Sequence, residues 1–181
     1  MEKRNFYILI ASISVGMSIV WLSIYGIVVL EVDPFWNLNN DGIITITGNV
    51  KEDLSLSLED IKSSKYYQVE DQLFHFINAI GREFDEIYSG ASLWSILEVE
   101  DVLEADASSF QFIGSDGFTS PKPISLTLAE DNLNLVILAY ERDGIPLFEQ
   151  GPIRSIVDFS VIPSETTTHW AVQNLKSILI I

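Results

Sequence analysis

Residues 138–147 read Leu-Ala-Tyr-Glu-Arg-Asp-Gly-Ile-Pro-Leu, and they continue an apolar run that begins at Leu135. Residues 135–139 predict a β-strand, because the run is short, apolar and bounded by turn signals. Arg142-Asp143-Gly144 predicts the tight turn that follows, since Asp and Gly accept the backbone angles that such turns require. A strand that ends at once in a turn is typical of a sheet built from short strands.

The same pattern continues on both sides of this stretch. Further strands are predicted at residues 43–48, 66–77, 83–88, 110–113, 153–159 and 175–181. A short helix is predicted after Ser57, because Asp60 follows three positions later and can complete a capping box. Ser92 can cap a second helix, whose apolar face holds Leu93, Ile96 and Leu97. Short strands with a few short helices indicate an α+β domain over residues 43–181.

The beginning of the chain differs, because residues 6–30 carry no charge. At about 1.5 Å per residue a helix of this length reaches roughly 38 Å, enough to cross a hydrocarbon layer of about 30 Å. Lys3 and Arg4 precede it, and basic residues favour the cytoplasmic side. We expect cytoplasmic residues 1–5, a single-pass transmembrane helix at 6–30, a juxtamembrane linker at 31–42 and the domain outside the cell membrane.

A cleaved signal peptide is the alternative for this segment. Signal peptides have a shorter apolar region of about 7–15 residues, followed by a cleavage site of the small-x-small type. Residues 26–33 contain no such site, so an uncleaved anchor is expected. Small residues such as Gly16 and Gly26 allow helices to approach closely, so a homodimer or another membrane protein is considered as a partner besides the lipid.

The composition excludes several classes of function. With 10 basic and 26 acidic residues the net charge is −16, which repels nucleic acid, so no nucleic-acid partner is expected. Cysteine is absent, which excludes disulfides, thiolate metal ligands and iron–sulfur clusters. His75 and His169 lack the spacing of a zinc site, and no metal ligand or catalytic residue is predicted.

Several segments of the domain form a recognisable series. They are ITGNV (46–50) with LSLEDI (56–61), YSGASLWSIL (88–97), GSDGF (114–118), LAYERDGIPL (138–147), GPIRSIV (151–157) and AVQNLKSI (171–178). In this order they resemble the molybdopterin-binding domain of the sulfite oxidase family. The resemblance implies a mixed β fold with short helices, preceded here by the transmembrane helix.

The resemblance also implies where a cofactor would lie. In the family a cysteine thiolate ligates molybdenum after the third strand, whereas the corresponding stretch here offers His75 and Asn78, which supply no soft anionic sulfur. Gln173 stands where the family has a lysine that helps to hold the anionic cofactor. Arg154 matches the cofactor-contacting pattern and Asp116 lies in a matched turn. The resemblance therefore implies a remnant cofactor pocket made of Arg154, His75, Asn78 and Asp116.

These observations favour an extracytoplasmic ligand-binding or interaction module without a cofactor and without molybdenum catalysis. The alternative is a molybdopterin-dependent oxidoreductase, or a subunit of one, with a changed set of metal ligands. Enzymatic activity is therefore left open, although the missing cysteine favours its absence. We expect residues 74–78, 116–118 and 151–154 to meet around one concavity that is either smaller than in the family or filled by His75 and Phe76, with Arg154 paired to a carboxylate.

Overall fold

The computed structural model describes residues 42–148, 151–163 and 165–181. The predicted transmembrane helix at residues 6–30, and the linker up to residue 41, lie outside these described residues. Within the described ranges, no helix combines the length and the apolar character needed to cross a membrane. Every helix and strand below falls within the predicted domain, residues 43–181.

Strands dominate the described part of the chain. They are β1 (Ile43–Gly48), β2 (Leu54–Ser57), β3 (Gln68–Ile77), β4 (Glu83–Ser92), β5 (Ser109–Gly114), β6 (Ile124–Ser125), β7 (Val136–Arg142), β8 (Ile145–Pro146), β9 (Arg154–Val157) and β10 (Leu175–Ile180). The helices are α1 (Leu58–Ile61), α2 (Leu93–Val99) and α3 (Leu126–Asp131), with a 3-10 turn at Thr167–His169. A sheet-dominated fold with few short helices agrees with the predicted mixed β architecture.

The strands form two sheets. The first has the order β2-β1-β10-β5-β6, and the second has the order β3-β4-β7-β8, with β9 also paired to β7. β1 pairs with β10 in parallel, so the last strand lies at the centre of the first sheet, between β1 and β5. Ile44 and Ile46 are buried on β1, because alternate side chains point to the same face of a sheet.

β3 and β4 form a long antiparallel hairpin in the second sheet. Leu73 lies opposite Ile87, and the register shifts between Val69 and Gln72, where the strand bulges. Asp71 sits in this bulge with φ of 48°, a backbone conformation that Asp tolerates better than most residues. The ladder between β4 and β7 begins only at Tyr88. The outer part of the hairpin, residues 71–87, therefore extends past the β4–β7 ladder.

Both predicted helix caps are confirmed. The Ser57 hydroxyl accepts from the Asp60 N–H, and the Asp60 carboxylate accepts from the Ser57 N–H, which completes the capping box. The Ser92 hydroxyl accepts from Ser95 N–H, and α2 buries the predicted face of Leu93, Ile96 and Leu97. Local hydrogen-bond chemistry was therefore enough to place these two helix starts.

Some predicted boundaries were wrong. The strand expected at residues 153–159 ends at Val157, because the Asp158 side chain accepts from the Ser160 N–H and turns the chain. The strand expected at residues 83–88 continues to Ser92. β2 and α3 were not predicted, and α3 starts at Ser125 without a side-chain cap hydrogen bond that could have marked it.

Candidate functional site

Arg154 lies at the start of β9, next to β7. Its Nε donates to the carbonyl of Ala171 at 3.2 Å, and one terminal nitrogen donates to the hydroxyl of Tyr88 at 3.1 Å. The guanidinium carbon is 5.9 Å from the centroid of the Tyr88 ring, within range of a cation–π contact. Arg154 thus connects β9 to β4 and to the segment that precedes β10.

Tyr88 is fully buried and joins this arginine to a carboxylate. Its hydroxyl donates to Glu86 Oε2 at 2.5 Å, while Glu86 Oε1 is 3.6 Å from a terminal nitrogen of Arg142. Burial is the main reason that the pKa of Tyr88 is raised to about 12. The nearby guanidinium of Arg154 lowers this pKa, whereas the hydrogen bond to Glu86 raises it. The phenol therefore stays protonated and serves as a hydrogen-bond bridge.

Phe74 and Phe76 pack on the same tyrosine. Both rings meet Tyr88 edge to face, with centroids 6.1 Å apart, and Phe76 stacks on Phe84 at 5.4 Å. Phe74 and Phe76 are 0% and 1% exposed. Two of the three segments expected to converge, residues 74–78 and 151–154, therefore approach each other through Tyr88, and the space between them is filled by aromatic rings.

His75 points away from this cluster, because it alternates with Phe74 and Phe76 along β3. Its Nδ1 lies 2.7 Å from Asp85 Oδ1, and its Nε2 lies 3.7 Å from Glu83 Oε2. The hydrogen bond with Asp85 raises the pKa of His75. The structure thus places His75 on the partly exposed face of the hairpin, not beside Arg154.

Asn78 and Asp116 both stabilise turns. The Asn78 Oδ1 accepts from the N–H groups of Ile80 and Arg82 and shapes the end of the β3–β4 hairpin. Asp116 Oδ1 accepts from the N–H of Phe118 at 2.9 Å in the turn after β5. The four residues of the predicted pocket thus take part in interactions at four places, and their assignment to a cofactor remains a prediction.

The residues near Arg154 do not fit a molybdenum–pterin group. The sequence holds no thiolate, and Tyr88, which contacts the guanidinium, is packed against the buried Phe74 and Phe76. The guanidinium already donates to the Ala171 carbonyl and to the Tyr88 hydroxyl, so protein groups hold it in place. A bound group that took over either contact would leave a protein acceptor without its donor, at a cost of about 1–3 kcal/mol.

A cleft opens on the other face of the second sheet, with a volume of about 470 Å³. It is lined by Lys62, Glu70, Asp71, Ser89, Tyr140, Glu141 and Gly144. The Nζ of Lys62 lies 4.6 Å from the centroid of the Tyr140 ring and 3.9 Å from Glu141 Oε1. Burial raises the pKa of Tyr140, whose hydroxyl donates to Gln68 Oε1 at 3.0 Å.

The sequence did not predict this cleft as a site. Tyr140 and Glu141 belong to the stretch that matched the family, but Lys62 comes from the turn after α1, about 80 residues earlier. Gln68 connects the two segments, because its amide donates to the Ile61 carbonyl and its Oε1 accepts from the Tyr140 hydroxyl. The cleft can hold a positive charge between the ring of Tyr140 and the carboxylate of Glu141.

Comparisons with known proteins give a likeness of fold. No family model matches the chain, and no curated protein matches it. Among solved structures, it resembles that of the sulfane dehydrogenase SoxCD from Paracoccus pantotrophus, with a TM-score of 0.61 and 19% sequence identity. The match covers 78% of this chain and 38% of that chain, so this chain spans well under half of its neighbour. The likeness supports the predicted sulfite-oxidase-related fold.

Proposed function

We propose that this chain is an extracytoplasmic binding or interaction module, anchored in the membrane, with a sulfite-oxidase-related fold and without molybdenum catalysis. One observation carries the proposal: Arg154 donates to the hydroxyl of Tyr88, whose ring is buried and packed against the buried Phe74 and Phe76. A chain that contains no cysteine offers no thiolate to a metal at this place.

The packed cluster supports a structural role for Arg154. The arginine connects three segments through Tyr88 and Ala171, and such a bridge stabilises the sheet without any ligand. The cleft at Tyr140 and the adjoining hairpin, which exposes Leu73 and Ile87, are accessible parts of the described surface. A binding role for the module is therefore expected on that face of the second sheet.

Metal analysis of the purified full chain tests the proposal. The chain would be produced in cells that also make an active molybdenum enzyme of the sulfite oxidase family, so that cofactor supply is shown in the same sample. We expect molybdenum and tungsten far below one atom per chain, and no extractable pterin. Stoichiometric metal with pterin would overturn the proposal.

The location of the module rests on the uncharged residues 6–30 and on the two basic residues before them. Protease added to intact cells should digest the domain and leave a short membrane-bound fragment. Full protection of the domain in sealed cells would contradict the proposed orientation. A mature chain that begins near residue 30 would instead identify the segment as a cleaved signal.

The second candidate is a molybdopterin-dependent oxidoreductase, or a subunit of one, with a changed ligand set. The likeness to a sulfane dehydrogenase favours it, together with an arginine at the matched position, Arg154. This candidate requires the aromatic cluster to open when the cofactor binds. The metal analysis distinguishes the two candidates directly.

A further inference from the structure

Two apolar side chains face solvent on the outer part of the β3–β4 hairpin. Leu73 and Ile87 lie directly opposite each other and are 53% and 36% exposed. Side chains that face solvent on an antiparallel sheet are normally polar. The other face of the same hairpin already buries Phe74 and Phe76 in the core, so packing of the domain does not require Leu73 and Ile87 to be apolar.

Carboxylates border this apolar pair among the described residues. Asp85 and Glu83 occupy the next positions on the same face of β4, where both lie near His75, and Glu141 of β7 lies opposite Ser89 of β4. Asp143 lies beside Ile87, and the backbone N–H of Asp143 donates to the Ile87 carbonyl at 3.0 Å. We call Leu73, Ile87, Glu83, Asp85, Glu141 and Asp143 the hairpin surface.

The cleft at Tyr140 adjoins the hairpin surface, since Glu141 belongs to both. Lys62 already shows how a cation sits there, with its Nζ over the ring of Tyr140 and near Glu141. The ion pair with Glu141 is long, at 3.9 Å, and both of its side chains are partly exposed, so these contacts hold the lysine weakly. An incoming cationic side chain can therefore displace the ammonium group of Lys62 at little cost.

We propose that the hairpin surface docks a partner protein that presents an apolar side chain flanked by lysine or arginine. The apolar side chain covers Leu73 and Ile87, and a flanking cation enters the cleft between Tyr140 and Glu141. This inference rests on the proposed function as an interaction module. Charge selects the occupant, because the carboxylates would repel a second copy of this acidic chain and the headgroups of anionic lipid.

Site-specific photo-crosslinking in the native cells tests the docking, with the full chain carrying a benzophenone side chain in place of Leu73. Leu128 is the matched control position, since it is also exposed but lies on α3 in another part of the domain. We expect crosslinks from position 73 to one protein, at a yield about fivefold above position 128, as a specific contact of about 1 kcal/mol implies. Mass spectrometry of the joined peptide should find lysine or arginine next to an apolar residue.

Charge variants make the test specific. E141Q together with D85N should lower the yield at position 73 about fivefold, and so should raising the salt concentration, because both weaken attraction between opposite charges. D131N with E130Q on α3 removes the same charge elsewhere and should leave the yield unchanged.

Three results would overturn the docking proposal. The first is a crosslink to a second copy, to lipid or to residues 1–41 of the same chain. The second is a partner without basic residues at the contact. The third is an equal crosslinking yield at positions 73 and 128. Each of these leaves the metal analysis untouched, so failure of the docking surface is distinguishable from failure of the proposed function.

Discussion

A terminal nitrogen of Arg154 donates a hydrogen bond to the hydroxyl of Tyr88 at 3.1 Å, and that hydroxyl in turn donates to Glu86 at 2.5 Å. The phenol thereby links a cation on β9 to a carboxylate on β4 inside a cluster of aromatic rings. Hydrogen bonds that involve a charged group are among the stronger ones in proteins. The bridge therefore gives the arginine a structural function that needs no ligand.

Replacing this hydroxyl tests the bridge. Y88F keeps the ring and its contacts with Phe74 and Phe76 but leaves a partly buried guanidinium and a carboxylate each without one partner. We expect the free energy of unfolding to fall by about 1–3 kcal/mol, measured by urea unfolding of the full chain. Y67F is the control, because Tyr67 is half exposed, and it should change stability by less than about 0.5 kcal/mol. A Y88F protein as stable as Y67F would contradict the bridge.

Gly90 tests how closely two strands approach. A methyl group at this position would lie 2.5 Å from the Leu138 carbonyl oxygen and 2.7 Å from the Ala139 Cα. Both are backbone atoms of β7, which cannot move aside without breaking the ladder. We expect G90A to lower the free energy of unfolding by about 3 kcal/mol, as overpacking does.

Gly81 provides the comparison for G90A. It has φ of 76° at the hairpin end, and a methyl group at this position would have no neighbouring atom within 4 Å. G81A should therefore cost only the backbone strain of about 1 kcal/mol. If G81A destabilised the protein more than G90A, the close approach of β4 and β7 would not be the limiting contact.

The sequence predicted elements whose signals are local. Ser57 and Ser92 marked helix starts because a capping hydroxyl acts within three residues, and Asp143-Gly144 marked a turn because both residues adopt positive φ. The bulge at Asp71 was not predicted, since it depends on pairing with a strand 18 residues away.

The site was predictable only in part for the same reason. Arg154 and the segment around Phe74 were matched from the sequence, but Tyr88, which joins them, carries no local signal of that role. Alternation along β3 assigns His75 and Phe76 to opposite faces, so Phe76 packs on Tyr88 while His75 contacts Asp85 on the other face. Lys62 reaches Tyr140 only through packing of distant segments.

His75 should make stability depend on pH. Its pKa is raised in the folded state above the ordinary value of 6.5, mainly by the hydrogen bond with Asp85. The stabilisation is therefore fully present below pH 6.5 and is lost as the pH rises through the folded pKa. We expect the stability difference between wild type and H75Q to be larger at about pH 5.5 than at about pH 8.5. The difference should change by less than about 1 kcal/mol between these pH values, because the pair of His75 and Asp85 is partly exposed.

Unfolding midpoints of both proteins at the two pH values measure this difference. D85N is the matched control, since it removes the main partner and should reduce the pH-dependent part while keeping the histidine. A difference between wild type and H75Q that grows toward the higher pH would show that the imidazole is stabilised in its neutral form.

The coupling between Arg154 and Tyr88 separates a structural arginine from a cofactor ligand. R154A alone should lower the free energy of unfolding by about 1–3 kcal/mol, because it removes hydrogen bonds to Ala171 and to Tyr88. Y88F removes one of the same contacts, so the double variant should be about 1 kcal/mol more stable than the sum of the two single losses predicts. Urea unfolding of the four proteins measures this coupling energy. Strictly additive losses, with R154A close to wild type, would mean that Arg154 is held ready for a ligand and would favour the oxidoreductase candidate.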